Sequence, residues 1–205
     1  MQAAAINRFG GSDELKMQTL PVLDVGPDEV LIRVESIGVG VWDPWEREGN
    51  FHKLFREKYG VEPTFPYVIG FDRAGTVAAV GEAVTRFEAG DRVYADRHLK
   101  NPKGGFYAEY AVVNADHVFP IPDNLTVEQA GAMPVDAITA LLGLDKAYVG
   151  DDASPEDFDK LTRLILSGPF EVHVARTFPL EHAGEAHRFL DEHYLGKLAL
   201  RPSRR

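Results

Sequence analysis

The 205-residue sequence predicts an α+β fold, a small irregular β-barrel with peripheral helices. Three observations point there. Up to about residue 120, short segments of alternating apolar and polar residues are separated by Gly, Pro and Asp clusters, the spacing of a barrel or sandwich. Beyond Pro122 the apolar residues recur at helical spacing instead. The chain then closes on a strand, a helix and a last strand. With 44% hydrophobic and 26% charged residues, it has the composition of a soluble globular protein long enough to bury a core.

The elements follow in order. Residues 2–6 form the first strand. Gly26-Pro27-Asp28 makes a turn, and residues 29–37 follow with Val30, Ile32 and Val34 on one face and Arg33 and Glu35 on the other, the period of a half-buried strand. Residues 75–80, 92–95 and 107–113 are further short strands. Thr126-Val127-Glu128-Gln129 fits a capping box that opens a helix over 127–144, with Pro134 kinking or dividing it. Ser154 caps the next helix, Pro155 takes its first position, and Glu156 and Asp157 sit at the positive end of its dipole. Phe158, Leu161, Leu164 and Ile165 carry its apolar face as far as Gly168. Residues 170–175 alternate as a strand, 181–192 read as a helix and 196–200 as a final strand.

Charge and composition exclude several functions. Lys and Arg number 22 against 32 Asp and Glu, a formal net charge of -10, which disfavours clustered phosphate contacts and argues against a nucleic-acid partner. There is no cysteine, so disulfides, thiolate nucleophiles and sulfur-ligated zinc are excluded. No apolar run approaches the ~18 residues of a membrane span, and the first residues carry no signal-peptide pattern. No membrane partner is expected and a cytoplasmic location is the default.

Several motifs occur in a recognisable order: Gly26-Pro27-Asp28-Glu29-Val30, Ile37-Gly38-Val39, Asp43 with Arg47 and Gly49, Pro66-Tyr67-Val68-Ile69-Gly70-Phe71-Asp72-Arg73-Ala74-Gly75, Gly90-Asp91-Arg92-Val93-Tyr94, Gly104-Gly105-Phe106-Tyr107-Ala108-Glu109-Tyr110, and Ala130-Gly131-Ala132-Met133-Pro134 through Thr139. In this order they resemble the GroES-like catalytic domain of the medium-chain dehydrogenase/reductases, most nearly the zinc-independent quinone oxidoreductase branch. The tail, with Phe178-Pro179-Leu180-Glu181-His182-Ala183-Gly184 and Gly196-Lys197-Leu198-Ala199-Leu200, resembles that family's C-terminus. In the family a nucleotide-binding Rossmann domain lies between the two parts. Its Gly-x-Gly-x-x-Gly turn is not found here, since Gly38-Val39-Gly40 runs on into Val41-Trp42-Asp43. The resemblance therefore implies one catalytic domain over 1–205, assembled from 1–144 and 147–205, with a junction near 145–146 where the nucleotide-binding domain would stand. A chain trimmed by design is the expected origin, a natural deletion the alternative.

The resemblance also implies an activity: NADPH-dependent reduction of quinones or α,β-unsaturated carbonyls, with NADPH held by the intact family member and none by this chain alone. Zinc relatives place a His after the glycine that matches Gly70; Phe71 stands there, so no metal site is expected. His182, His187 and His193 lack the i,i+4 spacing that would substitute. The slot for substrate corresponds to residues 40–51. Asp43, Trp45 and Arg47 are the candidate catalytic residues; for Asp43 and Arg47 a structural ion pair is an equal alternative. Gly40, Phe51 and Tyr67 are slot candidates, Gly40 lacking the amide that relatives often carry and Tyr67 open to a packing role. Thr139 matches a nicotinamide contact or bonds within its own helix. Asp72 and Asp91 are read as turn caps. Residues 52–60, with Leu54, Phe55 and Tyr59, suggest a short amphipathic helix at the mouth, a lid or a solvated insertion. A competing reading is a stand-alone binding module. Helix faces meant for the missing domain then predict a homo-oligomer.

Overall fold

The computed structural model describes residues 1–60, 62–97, 104–145 and 153–203. One long strand organises it. Strand β1 (Gln2–Ile6) pairs antiparallel with β2 (Lys16–Thr19) and with the two-residue β4 (Tyr67–Val68), making a three-stranded sheet. Strand β3 (Glu29–Val39) lies at the centre of the larger sheet. Along one edge it pairs with β5 (Asp72–Val80). Its other edge is shared by two partners, β7 (Tyr110–Asn114) against Glu29–Arg33 and β10 (Lys197–Arg201) against Ile37–Val39. Strand β6 (Arg92–Asp96) continues from β5 to β8 (Val118–Pro120), and β9 (Val174–Pro179) runs parallel to β10. An isolated bridge between Ala3 and Ala108 joins the two sheets, so the barrel is not closed by continuous pairing.

The alternation expected in β3 holds in its first half: Val30, Ile32 and Val34 are buried and Arg33 is exposed. From Ser36 to Val39 every residue is buried, because β10 and the helix after β8 cover the second face. The barrel interior is filled by Ile6, Ile32, Ile37, Val93, Leu198 and Leu200 among others.

A second core lies between β6, β8 and the helices. Helix α3 (Val127–Ala132) opens on the expected capping box, Thr126 Oγ1 accepting from Gln129 N–H. Pro134 divides the expected helix as its missing N–H requires, and α4 (Pro134–Asp145) starts on it. Helix α5 (Pro155–Ser167) is capped by Ser154 in a capping box closed by Asp157. Its Phe158, fully buried, stacks on Phe119 with ring centroids 4.2 Å apart, and Leu161 and Ile165 continue the contact. Leu164, expected on this face, is instead exposed, as is Leu166.

The tail differs from expectation in register. The strand expected over 170–175 begins only at Val174 and runs to Pro179, since its partner β10 offers positions from Lys197 onward. The helix expected over 181–192 is shorter: a 3₁₀ turn, Leu180–His182, leads into α6 (Ala183–Phe189). Strands β2, β4 and β8 were not legible as strands. They are two to four residues long, too short for a period to declare itself. Among the described residues no helix is long and apolar enough to cross a membrane. Lys146, at the expected junction, and the side chains of Leu54, Phe55, Tyr59 and Asp145 lie outside the described residues.

Candidate functional site

The segment singled out in the sequence is a six-residue helix, α1 (Trp42–Arg47), placed directly after β3. Asp43 Oδ2 accepts the Gly40 N–H at 2.7 Å and so closes the turn between strand and helix. Helical spacing then sorts its side chains: Asp43, Glu46 and Arg47 point inward and are buried, whereas Trp42 and Trp45 face outward at 42% and 48% exposure. The two indoles meet edge-on at 5.7 Å. Both pack on Phe51 from α2 (Asn50–Tyr59), at 5.6 and 5.0 Å, and Phe51 rests on Phe71.

Arg47 does not pair with Asp43. Its Nε donates to Gly10 O at 2.9 Å, its Nη2 meets Glu48 at 2.7 Å and its Nη1 reaches His187 Nδ1 at 2.8 Å. An arginine can only donate, so His187 accepts there and carries its proton on Nε2, 2.9 Å from the Tyr107 hydroxyl. Burial, and then the Arg47 charge, lower His187 to about 3, which keeps it neutral. Arg47 thus ties the N-terminal loop and α1 to α6. The buried Asp43 carboxyl also interacts with the Tyr107 hydroxyl, which burial and then Asp43 hold well above its usual range. Burial pushes the Asp43 carboxyl well above the usual range, and Asp72 and Glu46 add to the rise.

Beside Gly40 stands Lys197, at the start of β10. A Cβ built on Gly40 would lie 3.9 Å from Lys197 Nζ. The ammonium is hydrogen-bonded to Asp136 in the first turn of α4, and Asp136, Asp72 and Asp43 together outweigh burial and raise its pKa. Asp72 caps a different element from the turn expected: its Oδ1 accepts the Val135 N–H at 2.7 Å, in the first turn of α4 and 63 residues away. It is also 5% exposed and burial lifts it to about 7 against the opposing pull of Lys197. Asp91 accepts the Glu88 N–H at 2.9 Å and is a turn residue as read. Thr139 is exposed on α4, three residues beyond Asp136 and so on the same face.

Phe51 and Tyr67 line a different space, a cavity of about 420 Å³ walled by Phe9, Phe65 and Pro66. At its floor Glu46 forms a buried ion pair with Arg97. Glu46 also accepts from the Tyr67 hydroxyl at 2.6 Å and from the Gly70 N–H at 3.1 Å, while Arg97 Nη2 donates to the Tyr67 oxygen at 2.8 Å. Burial and the Glu46 charge raise the Tyr67 phenol far above its usual range, so it stays protonated. Gly40, Asp43, Trp45, Arg47 and Thr139 do not line this cavity. The candidate residues therefore divide between two neighbourhoods that share α1.

Sequence reasoning missed Glu46, Arg97 and Lys197, because each acquires its role from a residue distant in the chain. It also missed Arg73, fully buried with its guanidinium 3.7 Å over the Phe106 ring. Gly196-Lys197 in the tail was the available signal for Lys197. Among the described residues no group of three His, Asp or Glu side chains converges to hold a metal ion.

Residues 26–123 match the alcohol dehydrogenase GroES-like domain family. The quinone oxidoreductase of Sus scrofa is 36% identical over 145 residues, 70% of this chain and 40% of that protein, and that of Homo sapiens is 33% identical over 146 residues with the same shares. The synaptic vesicle membrane protein VAT-1 homolog of Rattus norvegicus is 32% identical over 146 residues, 33% of its length. The chain spans about 40% of the length of the quinone oxidoreductases it matches. Among solved structures, Escherichia coli quinone oxidoreductase complexed with NADPH superposes with a TM-score of 0.84 at 16% identity, over 98% of this chain and 100% of that one. The quinone oxidoreductase of Coxiella burnetii gives 0.80 at 16%. At such identities the likeness establishes the fold.

Proposed function

The chain carries the GroES-like domain of the medium-chain dehydrogenase/reductases in its quinone-oxidoreductase-like form, and from that premise we propose that it is the catalytic domain of a zinc-free, NADPH-dependent reductase of quinones or α,β-unsaturated carbonyls. The observation that carries the reading is the meeting of Gly40, Asp43, Asp72, Asp136 and Lys197, drawn from both ends of the chain onto one side of β3. That meeting also favours one domain assembled from 1–144 and 147–205, with the nucleotide-binding domain absent at the junction.

NADPH, where bound, supplies the hydride. The described residues suit at most its nicotinamide end, beside Gly40 and Thr139. Among the described residues the one parallel strand pair, β9 and β10, is followed at its first turn by Leu180-Glu181-His182, with no glycine to bring backbone amides to a pyrophosphate. The chain alone is therefore inactive or nearly so. In this reading Trp45 walls the slot, Asp43 shapes the turn below it, and Arg47 positions α1.

The test has two arms. Fluorescence titration of the 205-residue chain should give no saturable NADPH binding in the micromolar range. Insertion of the nucleotide-binding domain of a quinone oxidoreductase relative at 145–146 should confer NADPH oxidation by a naphthoquinone or an enone. Micromolar NADPH binding by the chain itself, or a folded, NADPH-binding insertion protein that reduces neither substrate class, overturns the reading. A second reading, a self-associating module, is favoured by the exposure of Leu164 and Leu166 on α5 and of Val41, Trp42 and Trp45 around α1. Light scattering at high concentration distinguishes it: a strict monomer counts against it.

A further inference from the structure

We propose that Lys197 is the anion-binding residue of this site, its ammonium delivered by the last strand to the space that Gly40 leaves open, where it receives the oxyanion of a conjugated substrate such as an enolate or a quinol phenolate. The inference rests on the reductase reading for its substrate class. It rests on this chain's own geometry for the residue.

The geometry is specific. Because Gly40 has no side chain, nothing at that position stands between the end of β3 and Nζ. Even a Cβ there would come only to 3.9 Å. An ammonium offers three donors, and at Lys197 the described partner is a single carboxylate, Asp136. The lysine side chain is 19% exposed, so its charge is mostly out of water but still reachable. Asp136 is 55% exposed and can turn toward solvent when another anion takes its place. The other groups facing the ammonium are Asp43 and Asp72, both buried carboxyls that burial drives toward their neutral form, and Tyr194, whose phenol is raised. An incoming oxyanion competes with Asp136, the carboxylate hydrogen-bonded to the ammonium. Trp42, half-exposed two residues beyond Gly40, offers an apolar face for a ring. An ammonium on an oxyanion is the charge-assisted contact that favours an anion over its neutral analogue.

The two tryptophans of the chain, Trp42 and Trp45, both lie in α1 beside this site, so their fluorescence reports binding without any cofactor. Quenching is titrated with 2,4-dinitrophenolate and with 2,4-dinitroanisole, its neutral analogue, for the wild type and for Lys197→Met, Lys197→Arg, Asp136→Asn and the remote control Lys16→Met. The expected result is a preference of tenfold or more for the phenolate in the wild type, loss of that preference in Lys197→Met, partial retention in Lys197→Arg, a severalfold increase in Asp136→Asn and no change in Lys16→Met. A structural role for the Lys197 and Asp136 pair would weaken binding in both partners' variants alike. Equal binding of the two probes by the wild type, a preference that survives Lys197→Met, or a preference that falls in Asp136→Asn overturns the proposal; should Lys197→Met fail to fold, the Asp136→Asn arm alone decides it. Since no NADPH is used, this outcome is independent of whether the inserted-domain protein reduces its substrates.

Discussion

Replacing Arg97 by Met isolates one of the most heavily buried charges in the protein. The side chains of Glu46 and Arg97 are 2% and 3% exposed, so the pair meets almost entirely out of water. Without the guanidinium, Glu46 retains the Tyr67 hydroxyl and the Gly70 N–H, but no compensating charge. Breaking a buried pair by removing one partner costs about 3–5 kcal/mol, because the surviving charge stays desolvated. For a chain of this size each kcal/mol moves Tm by roughly 2–4 °C, which places the loss on the order of 10 °C. The Glu46→Gln and Arg97→Met double variant should be less destabilised than the sum of the two singles, by roughly 1–3 kcal/mol, since it removes both charges. Urea unfolding followed by circular dichroism measures all four corners of that cycle. An Arg97→Met cost below about 1 kcal/mol, or additive singles, would refute the reasoning by showing that water reaches Glu46.

Three further predictions follow from burial and titration. Asp72 rises from 3.8 to about 7 on folding, so the folded protein holds a proton that the unfolded chain has lost, and stability falls as pH rises through that window. At about 1.4 kcal/mol per pH unit this amounts to roughly 4 kcal/mol, and Asp72→Asn should flatten the decline in unfolding free energy measured from pH 4 to 7. His187 runs the other way: lowered from 6.5 to about 3, it refuses a proton that the unfolded chain takes, so stability falls as pH drops from 6.5 toward 3. His187→Gln should remove that share of the acid-side loss in the same titration. Phe158→Ala should cost about 3–5 kcal/mol by opening a cavity between α5 and β8, read as a lower urea midpoint at unchanged slope; a cost below 1 kcal/mol would place Phe158 outside the core.

Much of the fold was legible because its signals are local. The caps at Thr126 and Ser154, the division at Pro134 and the alternation of Val30, Ile32 and Val34 are written in neighbours two to four residues apart, where side chains and backbone amides meet whatever the rest of the chain does. The sorting of α1 was not: no helix is expected over 42–47, so the outward face of Trp42 and Trp45 against the inward Asp43, Glu46 and Arg47 emerges only from the structure. Bounds slipped where pairing decides them: β9 starts four residues later than its alternation suggests because β10 sets the register.

What the amino-acid order determined by itself is therefore the menu of elements, the absence of cysteine chemistry and the region in which a site would form. The partners of each charge were decided only by the tertiary structure. Arg47 finds His187 across 140 residues and Glu46 finds Arg97 across 51, while β10 carries Lys197 to Gly40. No local spacing encodes those meetings. The last of them follows from the end of β3: the backbone of Ile37–Val39 is satisfied when the tail returns as a strand, and that strand brings its lysine with it.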